Sequence, residues 1–239
     1  MEVSGYVLLK EKAIVAGMDV FKWSLEELGK VEFIPLVKEG IWLDPCKIAM
    51  LNGNARAILT GERVALNFLQ RMSGIATLTG QFVKKIKGSK AKILDTRKTT
   101  PLLRYLEKYA VKKGGGENHR FGLYDAVLIK DNHIVIAGGI KEALSRIQGE
   151  LEVKNLKELR EALEKGTKRI LVDNMDIGEI RQAVRIAKGK AKIEVSGGVN
   201  LDNVLEIAMT GCDYISIGAL THSVKAIDIS LEVVPKKQR

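Results

Sequence analysis

The chain has 239 residues, of which 46% are hydrophobic and 28% charged, values ordinary for a globular protein with a full core. No run of eighteen or more apolar residues occurs, so we predict no membrane span, and the first residues lack the pattern of a signal peptide. Cys46 and Cys212 are few and far apart in sequence, which favours reduced thiols and a cytoplasmic location.

The net charge of +10, with a pI near 9.5, raises nucleic acid as a partner. Most lysines are interleaved with glutamates, a pattern typical of solvated helix faces. Aromatic residues make up only 5% of the chain, and no basic stripe with stacking residues occurs. We therefore expect no nucleic-acid partner, since phosphorylated or dicarboxylate substrates also suit a positive protein. The positive charge keeps a nucleic-acid-binding or other polyanion-binding protein as the alternative from another class.

The first sixty residues predict a mixed α and β region. Met18–Leu28 has a helical pattern closed by Gly29. Asn52-Gly53 is a turn signal. The segments rich in apolar and β-branched residues that predict strands are Tyr6–Ala16, Glu32–Leu43 and Ala55–Leu59.

A long helix is predicted from Glu62 to Ile86, because apolar residues recur there at spacings of three or four. Gly74, near its middle, is expected to weaken or bend it.

From residue 92 onward, short apolar runs alternate strictly with helical segments. Such alternation predicts parallel strands joined by helical crossovers. Six runs are fewer than the eight strands of the usual βα barrel, so we predict an incomplete or open barrel. The runs are Lys92–Leu94, Ala126–Ile129, Leu151–Val153, Arg169–Val172, Lys192–Val195 and Tyr214–Ile217.

Charged residues or glycines follow each of these runs. In βα barrels the C-terminal strand ends converge on the active site, so the pattern predicts an enzyme with its site at the barrel mouth. A converging set of cations requires an anion to offset its self-repulsion. Arg97, Lys98, His119, Arg120 and Lys130 form this set, and Gly114–Gly116 reads as a turn that brings His119 and Arg120 towards it.

Glycine turns after the last two runs, Ser196–Val199 and Ile217–Ser223, can offer backbone N–H groups to a phosphate. Glu152 and Asp173 could hold ribose hydroxyls or Mg²⁺, or stabilise positive charge at a sugar carbon. Salt bridges to nearby lysines are the alternative for both. The histidines are too few and scattered for a zinc site, and His133 is as compatible with a capping or supporting role as with catalysis.

Several segments, in this order, closely resemble the nicotinate-nucleotide pyrophosphorylase (quinolinate phosphoribosyltransferase) family: GERVALNFLQRMSGIATLT, ILDTRKTTP, KYAVKKGGGENHRFGLYDAVLIKDNHI, LVDNM, EVSGGV and DYISIGALTHS. The resemblance implies a type II phosphoribosyltransferase fold. This is an open six-stranded α/β barrel, expected over 62–225, with an α/β sandwich over 1–61 completed by about 226–239. It also implies conversion of quinolinate and phosphoribosyl pyrophosphate (PRPP), with Mg²⁺, to nicotinate mononucleotide, pyrophosphate and CO₂.

The resemblance also implies roles for individual residues. Arg97, His119, Arg120 and Lys130 would clamp the quinolinate carboxylates, and Arg63 would reach the site of a neighbouring subunit, so a homo-oligomer is implied. Lys98 would lie on the pyrophosphate side. Glu152 and Asp173 would face ribose and metal, and with Lys130 they are the catalytic candidates. The 5′-phosphate cradle would comprise Ser196, Gly197, Gly198 and Gly218.

Family members usually carry further residues before the strand matching YVLLKEKAIVAG, and these add to the dimer contact. The sequence lacks these residues, so the geometry of the expected oligomer could differ from that of the family. All the candidate site residues named above are still present. Two alternatives within the fold are a molybdenum-transport-associated homologue and a nicotinate-using phosphoribosyltransferase. Nicotinate has one carboxylate, so the full cation set favours the dicarboxylate.

Overall fold

The computed structural model describes residues 1–234. Within that range, no helix combines the length and the hydropathy needed to cross a membrane. The strands are β1 (Glu2–Leu9), β2 (Ala13–Ile14), β3 (Val31–Pro35), β4 (Trp42–Leu43), β5 (Cys46–Asn54), β6 (Lys92–Leu94), β7 (Leu128–Ile129), β8 (Glu150–Val153), β9 (Arg169–Asp173), β10 (Lys192–Ser196), β11 (Tyr214–Ser216) and β12 (Ile229–Val234). The helices are α1 (Met18–Glu26), α2 (Ala55–Lys85), α3 (Arg104–Lys113), α4 (Asp131–Ala137), α5 (Ile140–Arg146), α6 (Leu156–Glu164), α7 (Ile177–Ala187), α8 (Val204–Ala208) and α9 (Ala219–His222).

Internal contacts divide the chain into two compact units. The first comprises Met1–Gly80, Thr100–Gly115 and the segment from Leu220 onward, and the second comprises Gln81–Thr99 and Gly116–Ala219. The domain limits expected from the sequence, at residues 61 and 226, stay predictions. The last part of the expected first domain, 235–239, lies outside the described residues.

The first unit contains an antiparallel sheet in the order β12-β1-β5-β3. Strand β1 alternates buried and half-buried residues, so one of its faces packs against a core formed with α1 and α2. Strand β12 pairs with β1 over Ser4–Leu9, which confirms that a C-terminal segment completes the N-terminal sandwich. The structure divides two of the predicted strands, Tyr6–Ala16 and Glu32–Leu43. A short part of each forms a separate two-stranded sheet, β2–β4.

The predicted strand Ala55–Leu59 is wrong, because this segment is the first part of α2. Asn54 Oδ1 accepts the N–H groups of Arg56 and Ala57 at 2.9 and 3.3 Å, as a helix-capping side chain does. The Asn52-Gly53 turn signal also fails, since both residues continue β5. Gly53 is needed there for close approach: a Cβ atom would lie 2.7 Å from the carbonyl oxygen of Lys30.

Gly74 does not interrupt α2, which is helical over 31 residues. A Cβ atom at Gly74 would lie 2.2 Å from the carbonyl oxygen of Lys225. This glycine therefore permits the chain at Lys225 to approach the helix backbone. Close packing, rather than bending, accounts for a residue that is otherwise unfavourable within a helix.

The second unit contains a parallel six-stranded sheet in the order β6-β11-β10-β9-β8-β7. This confirms the predicted parallel α/β architecture, and five of the six strands both begin and end within one residue of the predicted runs. Strand β7 is shorter, and covers only Leu128–Ile129 of the predicted Ala126–Ile129.

The two faces of this sheet differ sharply in polarity. The in-register pairs between β8, β9, β10 and β11 place alternate residues on the same face. One face is apolar and buried, with Val153, Val172, Val195 and Ile215 among its residues. The opposite face, called here the polar face, carries Glu150, Glu152, Arg169, Asp173, Glu194, Ser196 and Ser216.

Candidate active site

Every strand of the parallel sheet leads into a predicted site residue at its C-terminal end. Because all six strands run in the same direction, these ends share one edge of the sheet. Across the sheet they are Arg97 and Lys98 after β6, Gly218 after β11, Ser196, Gly197 and Gly198 at β10, Asp173 at β9, Glu152 in β8 and Lys130 after β7.

The segment from Glu117 to Arg120 lies beside β6. The N–H of Asp95 donates to the carbonyl of Glu117, and Glu117 N–H donates to the carbonyl of Ile93. The buried Asp95 carboxylate then accepts the side-chain amide of Asn118 at 2.6 Å and the N–H of His119 at 2.8 Å. Asp95 thus fixes the turn that carries His119 and Arg120.

His119 shows that the sheet is strongly curved. Its Nε2 lies 3.3 Å from Glu150 Oε2 in β8, although its backbone is held beside β6. Strand β8 is four strands away from β6 in the sheet order, roughly 19 Å in a flat sheet with about 4.8 Å between strands. A side chain spans this gap only if the polar face curls inward, as in an open barrel.

Arg120 is buried and belongs to a pair of converging arginines. Its Nη1 donates to the carbonyl of Ala126 at 3.0 Å, just before β7. Burial, and then the positive charge of Arg97, lower the pKa of the Arg120 guanidinium. Arginine nevertheless stays charged at neutral pH, so the two guanidinium groups form a site for an anion.

His119 faces two buried carboxylates. Its Nε2 lies 3.3 Å from both Glu150 Oε2 and Glu194 Oε1, and the Glu194 side chain is fully buried. Its Nδ1 accepts the N–H of Arg120 at 2.8 Å. Nε2 therefore carries a hydrogen in either protonation state of the ring, and this hydrogen points towards the carboxylates.

The pKa values in this cluster follow from burial opposed by charge. Burial lowers the pKa of His119, but the hydrogen bonds and charges of Glu150 and Glu194 outweigh it and raise the value to about 9. The Arg120 N–H at Nδ1 opposes a second ring proton. Burial also disfavours ionised Glu194, yet His119 and Arg169 lower its pKa to about 2. Burial is the main cause that raises the pKa of Glu150.

Arg169 balances the charge of these carboxylates. Its Nε donates to Glu150 Oε1 and to Glu194 Oε2, each at 3.1 Å, and its Nη2 bonds Glu194 as well. Ser216 also donates to Glu194. His119, Glu150 and Glu194 have the side chains of a metal site, but Arg169 already pairs with both carboxylates and Ser216 donates to Glu194 Oε1, so we assign no metal to them.

Sequence reasoning missed Glu150, Glu194 and Arg169 as members of this network. A signal was present: Glu150 is two residues before Glu152, and Glu194 is two residues before Ser196. In a strand, residues two apart face the same side. The predicted site residues therefore already indicated which other charged side chains share their face of the sheet.

Lys130 lies next to a carboxylate of the neighbouring strand. Its Nζ is 2.7 Å from Glu152 Oε2, and both side chains are partly exposed. His133 accepts the backbone N–H of Lys130 at 2.9 Å through Nδ1. His133 thus caps the start of α4, one of the roles expected for it, and steadies the backbone from which Lys130 extends.

The glycines after β10 leave backbone accessible. Gly197 has φ +97°, and a Cβ atom there would lie 2.2 Å from Asn174 Oδ1. Gly198 has φ +62° with open space where its Cβ would be. Ser196 is paired in register with Asp173, so this turn lies directly beside the end of β9. By contrast, Gly114 packs closely against Ala76 and Thr79 of α2, which favours a packing role over phosphate binding.

Two predicted site residues are exposed. Lys98 is exposed on the loop after β6. Arg63 lies on α2 in the first unit, is exposed, and has no carboxylate within 4 Å among residues 1–234.

Replacement of Glu194 by glutamine should destabilise the protein and weaken the hold on His119. Removing one partner of a buried ion pair costs about 3–5 kcal/mol of unfolding free energy, measurable by chemical denaturation at pH 7. The raised pKa of His119 stabilises the fold fully below about 6.5, and this contribution is lost as pH rises through about 9. In the variant, NMR titration should show the His119 pKa closer to its ordinary value.

The matched control is Glu164→Gln, because Glu164 is exposed at the end of α6. It should leave both measurements unchanged. Equal stability of Glu194→Gln and the control would contradict the role assigned to the cluster.

Comparisons with known proteins agree with this geometry. The family model described as "Quinolinate phosphoribosyl transferase, N-terminal domain" matches residues 1–73, and the C-terminal domain model matches 75–232. A probable nicotinate-nucleotide pyrophosphorylase [carboxylating] of Methanocaldococcus jannaschii is 46% identical, over 98% of this chain and 88% of its own. The corresponding Bacillus subtilis protein is 44% identical, over 95% and 82% respectively.

Among solved structures, the nicotinate-nucleotide pyrophosphorylase of Francisella tularensis superposes with a TM-score of 0.95 at 42% identity. The superposition covers 98% of this chain and 87% of that one. Two domain models together span almost the whole sequence, and two relatives are more than 40% identical over most of it. The chain belongs to the quinolinate phosphoribosyltransferase family.

Proposed function

We propose that the chain transfers the phosphoribosyl group of PRPP to quinolinate with decarboxylation, giving nicotinate mononucleotide, pyrophosphate and CO₂, as a step of NAD biosynthesis. The observation that carries this proposal is the order of groups along the C-terminal edge. Arginines and a lysine lie at the two ends of the sheet, and carboxylates and glycine turns lie between them.

In this proposal the arginine pair and Lys130 bind the two quinolinate carboxylates. Arginine binds a carboxylate through two parallel hydrogen bonds, and lysine contributes a compact charge. The pKa effect of Arg97 on Arg120 supports a shared anion site, since two like charges held close are offset by a negative ligand. His119 supports the turn that orients Arg120 and contributes its own charge when protonated.

Phosphoribosyl pyrophosphate binds beside this site. Ser196, Gly197 and Gly198 with Gly218 offer backbone N–H groups to the 5′-phosphate, and Lys98 lies on the pyrophosphate side. The open space at Gly198 supports this assignment. Glu152 and Asp173, on adjacent strands, face the ribose.

Mg²⁺ fits the same two carboxylates by donor chemistry. The ion prefers oxygen ligands and keeps several waters, and Glu152 and Asp173 supply carboxylate oxygens from neighbouring strand ends. When bound with the substrate, the metal would neutralise charge on the departing pyrophosphate. Lys130 lies 2.7 Å from Glu152, so it links the metal side of the site to the dicarboxylate side.

The chemistry then requires positioning more than a general acid. The pyridine nitrogen forms a bond to C1 of ribose as the bond to pyrophosphate breaks, and positive charge develops on the sugar. Carboxylates close to that carbon stabilise it. The pyridinium then accepts the electron pair released when the adjacent carboxylate leaves as CO₂, and a proton from solvent replaces it. Fixed cations hold the ring throughout.

Turnover should therefore require quinolinate, phosphoribosyl pyrophosphate and Mg²⁺ together. We expect release of labelled CO₂ from quinolinate and little product from nicotinate, which lacks one carboxylate. The measurement compares both acids at equal concentration. A folded protein that uses nicotinate but leaves quinolinate intact would support the nicotinate-using alternative instead. Failure with both acids would favour the homologue associated with molybdenum transport.

Arg120→Ala should weaken quinolinate binding about tenfold to a hundredfold, since hydrogen bonds to charged groups contribute about 1.5–3 kcal/mol. Binding of phosphoribosyl pyrophosphate should change little, because its proposed contacts lie on other strands. Calorimetry with each ligand measures both. Arg160→Ala, an exposed arginine of α6, is the control. Unchanged quinolinate affinity in Arg120→Ala would rule out the proposed carboxylate contact.

We also propose that the protein is a homo-oligomer in which Arg63 of one subunit completes the site of another. Arg63 is an exposed cation without an acidic partner within residues 1–234, which supports a role outside its own subunit. Arg63→Ala and Lys130→Ala should each be nearly inactive. Mixed under conditions of subunit exchange, they should regain activity, because some mixed sites carry neither change. If exchange is verified and no activity returns, the shared site is refuted.

A further inference from the structure

A second cluster of cations lies at the N-terminal edge of the parallel sheet. The loops before β6, β9 and β10 share one design: a glycine in the left-handed region, then lysine one or two residues later. The glycines are Gly88, Gly166 and Gly189, with φ of +97°, +80° and +75°. Because the strands are parallel, these loops meet at one edge, opposite to the edge that carries the proposed catalytic residues.

These loops border a cleft of about 580 Å³ in the second unit. Its lining contains six basic side chains and one acidic side chain, and no aromatic ring. The charged residues are Lys90, Lys168, Arg185, Lys188, Lys190, Lys192 and Asp213.

The single carboxylate in the lining already pairs with two of the lysines. Asp213 Oδ1 lies 2.9 Å from Lys90 Nζ and 3.0 Å from Lys192 Nζ, and Oδ2 accepts the N–H of Ile193. The other four cations have no ion pair in the described part of the chain: Lys168, Arg185, Lys188 and Lys190.

The negative ends of nearby helices do not balance this excess of positive charge. Helices α2, α6, α7 and α8 end before the loops at this edge, and each C-terminus has a partial charge of about −0.5, so four supply at most roughly −2. Four unpaired cations exceed that charge. The lysines are also exposed and separated by glycines, so a bound anion could draw them together without rearranging a packed core.

The cleft is distinct from the proposed catalytic edge. Strand β10 runs from Lys192, at the cleft, to Ser196, at the opposite edge, a span of roughly 13 Å at about 3.3 Å per residue. Buried Glu194, in the middle of β10, lies between the two edges. The inference therefore does not depend on the reaction proposed above.

We propose that this cleft binds a chain of two or more linked phosphate groups. A single phosphate carries about −1.5 to −2 at pH 7, less than four unpaired cations can balance. The lack of an aromatic side chain in the lining removes the usual platform for a nucleobase, so recognition falls on the phosphates. Inorganic oligophosphate and the phosphate chain of a nucleotide share this chemistry.

The test is calorimetric titration with tripolyphosphate at low ionic strength. The variant Lys188→Gln/Lys190→Gln removes two unpaired cations, and Lys84→Gln/Lys85→Gln, at the exposed end of α2, is the matched control. We expect affinity at the cleft to fall about five- to thirtyfold in the first variant and to stay constant in the control. Hydrogen exchange should slow on binding in the loops at 165–168 and 188–191. Quinolinate turnover should be the same in all three proteins.

Titrations with other ligands distinguish inorganic oligophosphate from a nucleotide. ATP binding as tightly as tripolyphosphate supports the shared phosphate chain, and ATP binding much more tightly would indicate a base site and overturn the assignment. Equal affinity for orthophosphate, or identical titrations in variant and control, would also overturn it. So would single-stranded RNA that binds the wild type, fails to bind the variant and is not displaced by tripolyphosphate. A protein inactive on quinolinate that still shows the cleft effect refutes only the proposed reaction.

Discussion

The active-site edge depends on one buried interaction, the contact of His119 and Arg169 with Glu150 and Glu194. Two carboxylates in the interior of a curved sheet would be strongly unfavourable alone, because desolvation costs several kcal/mol for each charge. Arg169 supplies hydrogen bonds to both carboxylates, and protonated His119 supplies an ion-pair contact to the other oxygen of each. This interaction ties the turn beside β6 to strands β8, β9 and β10, and so fixes the curvature of the sheet at the level just below the catalytic groups.

The consequence for function is that Arg120, at the C-terminal edge, is positioned through buried acids that it does not directly neutralise. Asp95 holds the backbone of His119, and the N–H of Arg120 donates to the His119 ring. Arg120 can therefore remain charged and directed towards a ligand while its supporting groups are satisfied internally. A site built only from surface lysines would lack this constraint on the position of the guanidinium group.

Much of this arrangement could be predicted from the sequence, because it follows from local patterns. The six short apolar runs identified the parallel strands, and the residues after them identified the active-site edge. Prediction failed where a distant backbone decides the local structure. Gly74 serves the approach of Lys225, and Asn54 begins a helix although the preceding Asn52-Gly53 resembles a turn. The partners of His119 were missed because they are more than thirty residues away in sequence, even though alternation in the strands placed them on the correct face.

The two edges of the sheet use positive charge in different ways. The burial of the cations and the groups they contact distinguish the two edges better than net charge does. At the C-terminal edge, Lys130 touches Glu152 and Arg120 is buried beside Arg97, so few cations serve a shaped site. At the N-terminal edge the lysines are exposed, and the one carboxylate that lines their cleft within residues 1–234 is shared between two of them. The first arrangement favours recognition by direction, suited to a planar dicarboxylate. The second favours recognition by total charge, suited to a flexible chain of phosphates whose binding should weaken steeply as salt screens it.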